Sequence, residues 1–442
     1  MVTQIQTIPT YQEVFISGQQ DATAILHRCL KAGIFKSYVL YEGKGEVRIA
    51  GNQLARVLVT RDTVQLDSGD RSRCEPATDP FKQVGELLGS LPLQDWTAYG
   101  YVSFDMAGFY SAYSKAIAQP LLYFMVPETE LRVSSEGVLV RTLARESLEP
   151  IQTLLAQTSE IPAYTPLDLT QDFADCADYS QRIEQLIGAI QSDRLHKAII
   201  SRSKKLSGNL DVLGTYVVGS QANNSARSYC LQLEDVRAVG FSPEILMEVH
   251  ADRTVITNPL AGTRPRSDRA EDDARLYDEL FRDAKEVKEH ALSIWLAQSE
   301  LDSFCLPETV RVFNFMEVKK YRCVQHLSSR VGGQLRAGKT LWDALTVLFP
   351  GITVSGIDKS QALEWIDRLE DEPRGIYAGS IGWVDSQGLA DMAIAIRSVY
   401  QYGSEIYLNA GAGIVGESIP QREYVESVNK MNTMLTNVVL EA

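Results

Sequence analysis

Apolar and polar residues alternate with a period of two through many short runs of this chain. A period near 3.6 runs through a smaller number of longer segments. Strand-like runs, some alternating and some continuously apolar, fall at 37–41, 46–49, 55–60, 98–104, 121–126 and 137–143, and again at 197–201, 228–233, 245–249, 254–257, 310–318 and 326–331. Such runs, punctuated by Gly and Asp, predict strands. Helical periodicity covers 80–89, 146–157, 270–301, 341–348 and 360–369, and a segment from Tyr179 that sets Ile183, Leu186, Ile187 and Ile190 on one face.

The segment 374–430 gathers both patterns. A strand at 376–383, a polar turn at Asp385-Ser386-Gln387-Gly388, a strand at 392–396 and a third from Glu405 into Gly411-Ala412-Gly413 predict an antiparallel meander. Pro420 stands where a helix to the C-terminus should begin. Strands outnumber regular strand–helix–strand units, which argues against a doubly wound parallel sheet. The expected class is α+β, with large antiparallel sheets and helices outside. No internal repeat or low-complexity tract interrupts it, and the acidic stretch 168–177 reads as a connection.

A length of 442 residues admits two or three domains or one large unit. Charge changes the picture more. The net charge is −14 with no basic stripe, so nucleic acid and anionic membrane surfaces are poor partners. An anionic substrate would need a local attraction that overcomes the global field. The six cysteines contain no CxxC pair and the five histidines are scattered, which fits reduced thiols and gives zinc no support. The opening MVTQIQTIPT has neither a basic nor an apolar leader region, and no run reaches membrane-spanning length. The expected location is the cytoplasm.

Candidate chemistry concentrates in a few places. Glu423, Glu426 and Lys430 are spaced i, i+3, i+7 and share a helical face, and Glu286 and Glu289 form a similar pair on the long 270–301 helix. A single such pair is ordinarily a solvated face. Two pairs together suit a hard cation such as Mg2+. Tyr377, Arg397 and the Gly411-Ala412-Gly413 strand end could receive an anionic organic substrate beside it. Lys197 opens an apolar strand, where it is either a snorkelling edge residue or a buried amine able to act as a base. Glu244 follows a turn and would ordinarily be exposed. Gly333 to Thr340 matches the phosphate-binding loop expression, but no strand–helix–strand unit surrounds it. The simpler reading makes Thr340 the cap of the 341–348 helix.

Asn258-Pro259-Leu260-Ala261-Gly262-Thr263-Arg264, Asp283-Ala284-Lys285-Glu286-Val287-Lys288-Glu289-His290 and Gly411-Ala412-Gly413-Ile414-Val415 together resemble the chorismate-utilising enzymes. That family spans anthranilate, aminodeoxychorismate, isochorismate and salicylate synthases. The resemblance runs from about Tyr179 to the C-terminus. It implies a single unit over 1–442 of two packed antiparallel sheets with helices outside, comprising a divergent strand-rich part (1–170) and a chorismate-binding part (171–442). It also implies that Lys197 activates water and that Glu244 acts as general acid. Glu286, Glu289, Glu423 and Glu426 would bind Mg2+, while Gly262, Thr263, His326, Thr353, Tyr377, Arg397, Gly411, Gly413 and Lys430 would bind chorismate. Family members that add ammonia lack the lysine matching Lys197, and those with a covalent lysine carry it where this chain has Ala261. The chain also carries no amidotransferase module. Water is therefore the expected nucleophile, with no glutamine amidotransferase partner and a monomeric state. Phe349 to Ile357 and Tyr99 to Asp105 look like the salicylate-forming branch, which usually serves siderophore synthesis. Release of isochorismate, or binding without turnover, are the alternatives.

Overall fold

The computed structural model describes residues 9–157, 160–167, 177–322 and 324–441. The expected acidic connection, apart from its last residue, lies outside them, as does most of the N-terminal stretch read for a leader. Among the described residues, twenty-one strands form one continuous antiparallel hydrogen-bonded network with two limbs. The first limb runs through Gln12–Ser17, Gly137–Thr142, Tyr38–Gly43, Arg227–Leu233, Val236–Ser242, Ser398–Tyr402, Glu405–Ile414 and Lys197–Ser207. The second runs through Thr97–Val102, Ser380–Asp385, Ala390–Ile394, Ile245–Val249, Thr254–Asn258 and Val324–Gln334.

Two long strands, Glu46–Val59 and Leu122–Val133, belong to both limbs. They pair along their whole length, with a register shift between Gln53 and Ala55. A bulge of this kind bends and twists a strand, which allows one pair to serve two sheets. The runs 46–49 and 55–60, read separately from sequence, are therefore one strand broken in pattern at the bend.

The middle strands of the first limb are buried on both faces, and their side-chain alternation shows where each face points. Val39 and Tyr41 join a core shared with the second limb, whereas Tyr38 and Leu40 join a second core. Helices Ala22–Lys31, Arg145–Leu155, Val212–Ala222 and Pro420–Leu435 cover that second core with Leu26, Ile151, Tyr216 and Met431. With both faces apolar, such strands read as continuous hydrophobic runs rather than clean alternation. Two limbs of one antiparallel network on a shared core, rather than two separate sheets, with helices outside make the class α+β, as expected.

Three local expectations need correction. The helical pattern 270–301 is two helices, Ala270–Arg282 and Ala284–Asp302, separated at Asp283 (ψ 111°). The Asp283 carboxylate caps the second helix, accepting from the amides of Lys285 (3.0 Å) and Glu286 (3.2 Å). The strand expected at 376–383 begins only at Ser380. Residues 376–379 form a turn, with the Ala378 amide donating to the Ala395 carbonyl at 2.8 Å. The meander also has a further strand, Ser398–Tyr402. The phosphate-loop match is structural: Gly333 lies within a strand, and the Thr340 amide and hydroxyl donate to Asp343 at 2.9 and 3.0 Å. Cys29, Cys74, Cys230 and Cys305 are free thiols, while Cys176 and Cys323 lie outside the described residues. No helix among the described residues is long and apolar enough to cross a membrane.

Candidate functional site

A cleft of about 960 Å3, its open mouth included, lies between the two limbs and the helices Ala284–Asp302 and Pro420–Leu435. Lys197, Glu244, Gly262, Thr263, Glu286, Glu289, His326, Thr353, Tyr377, Arg397, Gly411, Gly413, Glu426 and Lys430 all line it. Of the candidates read from sequence, only Glu423 stands behind the wall, buried and bonded to the lining residue Lys285 at 3.3 Å.

The break at Asp283 places the acidic helix. Arg264, from the strand Leu260–Pro265, donates to Asp283 at 2.7 Å and to Glu286 at 3.4 Å. The new helix therefore starts over that strand, with Glu286 and Glu289 in its first two turns. Gly262 has φ +71°, a backbone conformation that favours glycine, and a Cβ there would lie 3.0 Å from Glu286 Oε2. Gly413, without a positive φ, is also closely approached by side chains. A Cβ on it would meet Lys197 Cε at 3.0 Å and Glu289 Oε1 at 3.3 Å, where those side chains cross the strand.

Lys197 is 2% exposed, and its Nζ donates to Glu289 at 2.6 Å. Glu244 is buried too, one residue before the strand Ile245–Val249. Its Oε1 accepts from the Thr353 hydroxyl at 2.5 Å and the Leu260 amide at 3.1 Å. Burial pushes its carboxyl up to about 7 despite those two donors and the charges of Lys197 and Lys430. The group can thus hold a proton near neutrality.

His326 is held at both ring nitrogens. Nδ1 lies 3.1 Å from the Gly262 carbonyl and 3.0 Å from Thr263 Oγ1, and Nε2 lies 2.6 Å from Arg397 Nη2. Burial and the Arg397 charge push the imidazole down to about 3, so it is neutral. A carbonyl can only accept, which puts the proton on Nδ1 and leaves Nε2 to accept from Arg397. The imidazole therefore orients the guanidinium without spending its charge. Tyr377 reaches the cleft from the 376–379 turn, and Lys430 Nζ donates to the Gly411 carbonyl at 3.1 Å.

Glu286, Glu289 and Glu426 line the cleft from two helices, with Glu423 behind the wall, and each has a basic partner. Glu286 pairs with Arg264 (3.4 Å), Glu289 with Lys197 (2.6 Å), Glu423 with Lys285 (3.3 Å) and Glu426 with Lys430 (2.7 Å). Among the described residues, no three acidic, imidazole or thiol groups have already converged into a metal cage. The donor chemistry nonetheless fits a hard divalent cation. Burial, and then the neighbouring carboxylate Glu289, raise Glu286 above its ordinary range. Burial also raises Glu423, and Glu426 adds to the shift against the pull of Lys285. A bound cation would relieve that repulsion.

Two polar lining residues were not singled out from sequence. Lys285 lies four residues before Glu289 on one helical face, a spacing that could have revealed it. Asn409, whose Oδ1 accepts from Tyr400 at 3.0 Å, carries no sequence signal. Lys197, Lys285, Arg397 and Lys430 share the lining with Glu244, Glu286, Glu289 and Glu426, so cationic and carboxylate side chains meet in one cleft. Arg397, oriented by His326, is the guanidinium placed for an organic anion.

Similarity to known proteins extends over nearly the whole chain. Residues 36–436 match the family model of the chorismate binding enzymes. A salicylate synthase from Mycolicibacterium paratuberculosis is 31% identical over 417 residues, covering 94% of this chain and 92% of its own. An anthranilate synthase component 1 from Haloarcula marismortui is 41% identical over 263 residues, but covers only 59% of this chain and 49% of its own. The crystal structure of anthranilate synthase component I from Streptococcus pneumoniae superposes with a TM-score of 0.76 at 28% identity, covering 88% and 92% of the two chains. With the fold, the family model and a relative matched nearly end to end in agreement, this chain belongs to the chorismate binding enzymes.

Proposed function

We propose that the protein converts chorismate to isochorismate, and isochorismate to salicylate and pyruvate, in the presence of Mg2+. The observation that carries this reading is the placement of Lys197 and Glu244 on one cleft, both buried, with Glu244 able to hold a proton near neutral pH. Likeness to a salicylate synthase over nearly the full length supports the choice within the family.

Lys197 is the base in this reading, taking a proton from water attacking the ring carbon next to the carboxylated one. Glu244 gives its proton to the departing ring hydroxyl, which leaves as water. Arg397, aimed by His326, and Tyr377 hold the pyruvyl carboxylate, since the planar guanidinium can bond both oxygens. Thr353 fixes Glu244, and Gly411 and Gly413 keep that wall open to the ring. Glu286, Glu289, Glu423 and Glu426 would hold Mg2+, which when bound supplies Lewis-acid neutralisation of the ring carboxylate. The second reaction moves a ring hydrogen to the enolpyruvyl group as pyruvate departs. It needs little acid–base help, so the cleft contributes by holding a reactive conformer. Because water is the nucleophile, no ammonia-delivering subunit is required. The reading is completed by a monomeric cytoplasmic enzyme supplying salicylate to siderophore synthesis.

The direct test incubates the protein with chorismate and Mg2+, with and without EDTA, and separates the products by chromatography. Salicylate and pyruvate in equal amounts, lost with EDTA, are expected. Isochorismate alone would restrict the activity to the first reaction, and unconsumed chorismate would refute turnover.

Acid catalysis by Glu244 also sets a pH dependence. The protonated carboxyl is the active form and its folded value is about 7, so hydration should fall roughly tenfold per pH unit above that value. Glu244→Gln should slow hydration by roughly 10²–10⁴-fold and remove that alkaline limb from whatever rate remains. Persistence of the limb in the variant would assign it to another group.

A further inference from the structure

Glu300 is a buried acid that the mechanism above does not use. It sits on the helix Ala284–Asp302, far along from the Glu286 and Glu289 pair. Its Oε1 pairs with Lys359 Nζ at 2.5 Å, and the side chain is 10% exposed. Its Oε2 is buried and has no hydrogen-bond partner. A carboxylate oxygen in that position costs free energy unless it is protonated or a water reaches it. Burial raises the Glu300 carboxyl above its ordinary range, opposed by Lys359.

Glu300 also borders a second, much smaller space behind the wall of the main cleft, with room for about one water. Glu244 and Thr353 line both spaces. The small cavity is otherwise largely apolar, with Leu246, Ala297, Leu348 and Ile352 in its wall. A water held there would find Glu244, Glu300 and the Thr353 hydroxyl as polar partners, which is what retains a buried water. Glu244 therefore faces substrate on one side and a space containing another carboxyl on the other.

We propose that Glu300 is the proton donor that recharges Glu244 through water in this rear cavity. The inference rests on the assignment of Glu244 as general acid. Each hydration leaves Glu244 without its proton and Lys197 with one gained. The Glu244 carboxylate takes a proton from the cavity water, and that water takes one from Glu300. Solvent then reprotonates Glu300 at its exposed edge beside Lys359, and Lys197 releases its proton to solvent. The cycle returns every group to its starting state with no net proton change.

The test is Glu300→Gln, which keeps size and shape but carries no transferable acid proton. Turnover of chorismate should fall about tenfold in kcat with KM unchanged, while conversion of supplied isochorismate, which does not discharge Glu244, should keep its rate. A structural role at the Lys359 contact would instead slow both reactions or raise KM, and either result overturns the relay. Full chorismate turnover in the variant overturns it too, while leaving Glu244 as the acid. If the wild-type protein consumes no chorismate, it is the functional reading that fails. Should the variant not fold, the wild-type rate in mixtures of light and heavy water decides: a bowed dependence is expected from a proton passing through water, and a linear one overturns the relay.

Discussion

Replacing Lys197 by Ala will suppress hydration of chorismate by roughly 10²–10⁴-fold while leaving conversion of supplied isochorismate within a few-fold of wild type. The two reactions differ in whether a base is needed. Water must lose a proton as it attacks, and Lys197 is the amine placed to accept it, buried at the head of its strand. The hydrogen shift that releases pyruvate needs only the substrate's conformation. Lys197 also pairs with Glu289 at 2.6 Å, so its removal changes the charge around the acidic helix as well. Lys197→Arg separates the two effects: it retains the positive charge but cannot give up its proton. Arg should therefore be as inactive as Ala in hydration. Recovery of hydration in the Arg variant would show that charge matters rather than basicity, and equal loss of both reactions in the Ala variant would refute the division of roles. Both readings come from product ratios in a single chromatographic assay.

Arg374→Met should destabilise the fold by about 3–5 kcal/mol, the scale of breaking one side of a buried ion pair. Arg374 is 1% exposed, and its guanidinium donates to both Glu370 oxygens at 2.7 and 2.9 Å. It also donates to the carbonyls of Val354 (2.7 Å) and Ile199 (2.6 Å), and lies over the Phe104 ring at 4.4 Å. Methionine fills much of the volume but strands the Glu370 carboxylate and both carbonyls. Replacing Glu370 by Met as well should recover part of the loss, because two apolar side chains tolerate burial better than one unpaired charge. Recovery stays incomplete, since Glu370 also accepts from the Ser201 amide at 2.6 Å. Urea unfolding of the single and double variants measures the cycle. A single-variant loss below about 1 kcal/mol would show that the pair contributes little. Activity should fall too, because Val354 and Ile199 neighbour Thr353 and the strand of Lys197.

The strands and the candidate residues were legible in sequence for different reasons. Strand-like composition revealed Gly137–Thr142 and Ile245–Val249 because each is a short, uninterrupted run. Ser398–Tyr402 escaped because it follows Arg397, whose φ of +49° turns the chain immediately after the preceding strand with no glycine to mark it. Helix Val212–Ala222 escaped because three of its residues are β-branched valines and its apolar residues are not confined to one face. The break at Asp283 was written in the chain as Asp-x-x-Glu, a capping pattern, but the 3.6-residue period runs on through it and hides the stop. At the site, spacing put Glu286 with Glu289 and Glu423 with Glu426. Only the fold could bring the two helices to one cleft. Glu300 had no signal, because a carboxylate near a helix end ordinarily faces solvent.

The two long strands that serve both limbs have a consequence for how the chain is made. Tyr38–Gly43 pairs with Arg227–Leu233, which begins about 190 residues later, and Thr97–Val102 pairs with Ser380–Asp385, about 280 residues later. At a synthesis rate of roughly 5–20 residues per second, the early strands wait about ten seconds to a minute for those partners. Through that interval their apolar faces and open edges must be shielded by something other than the finished sheet.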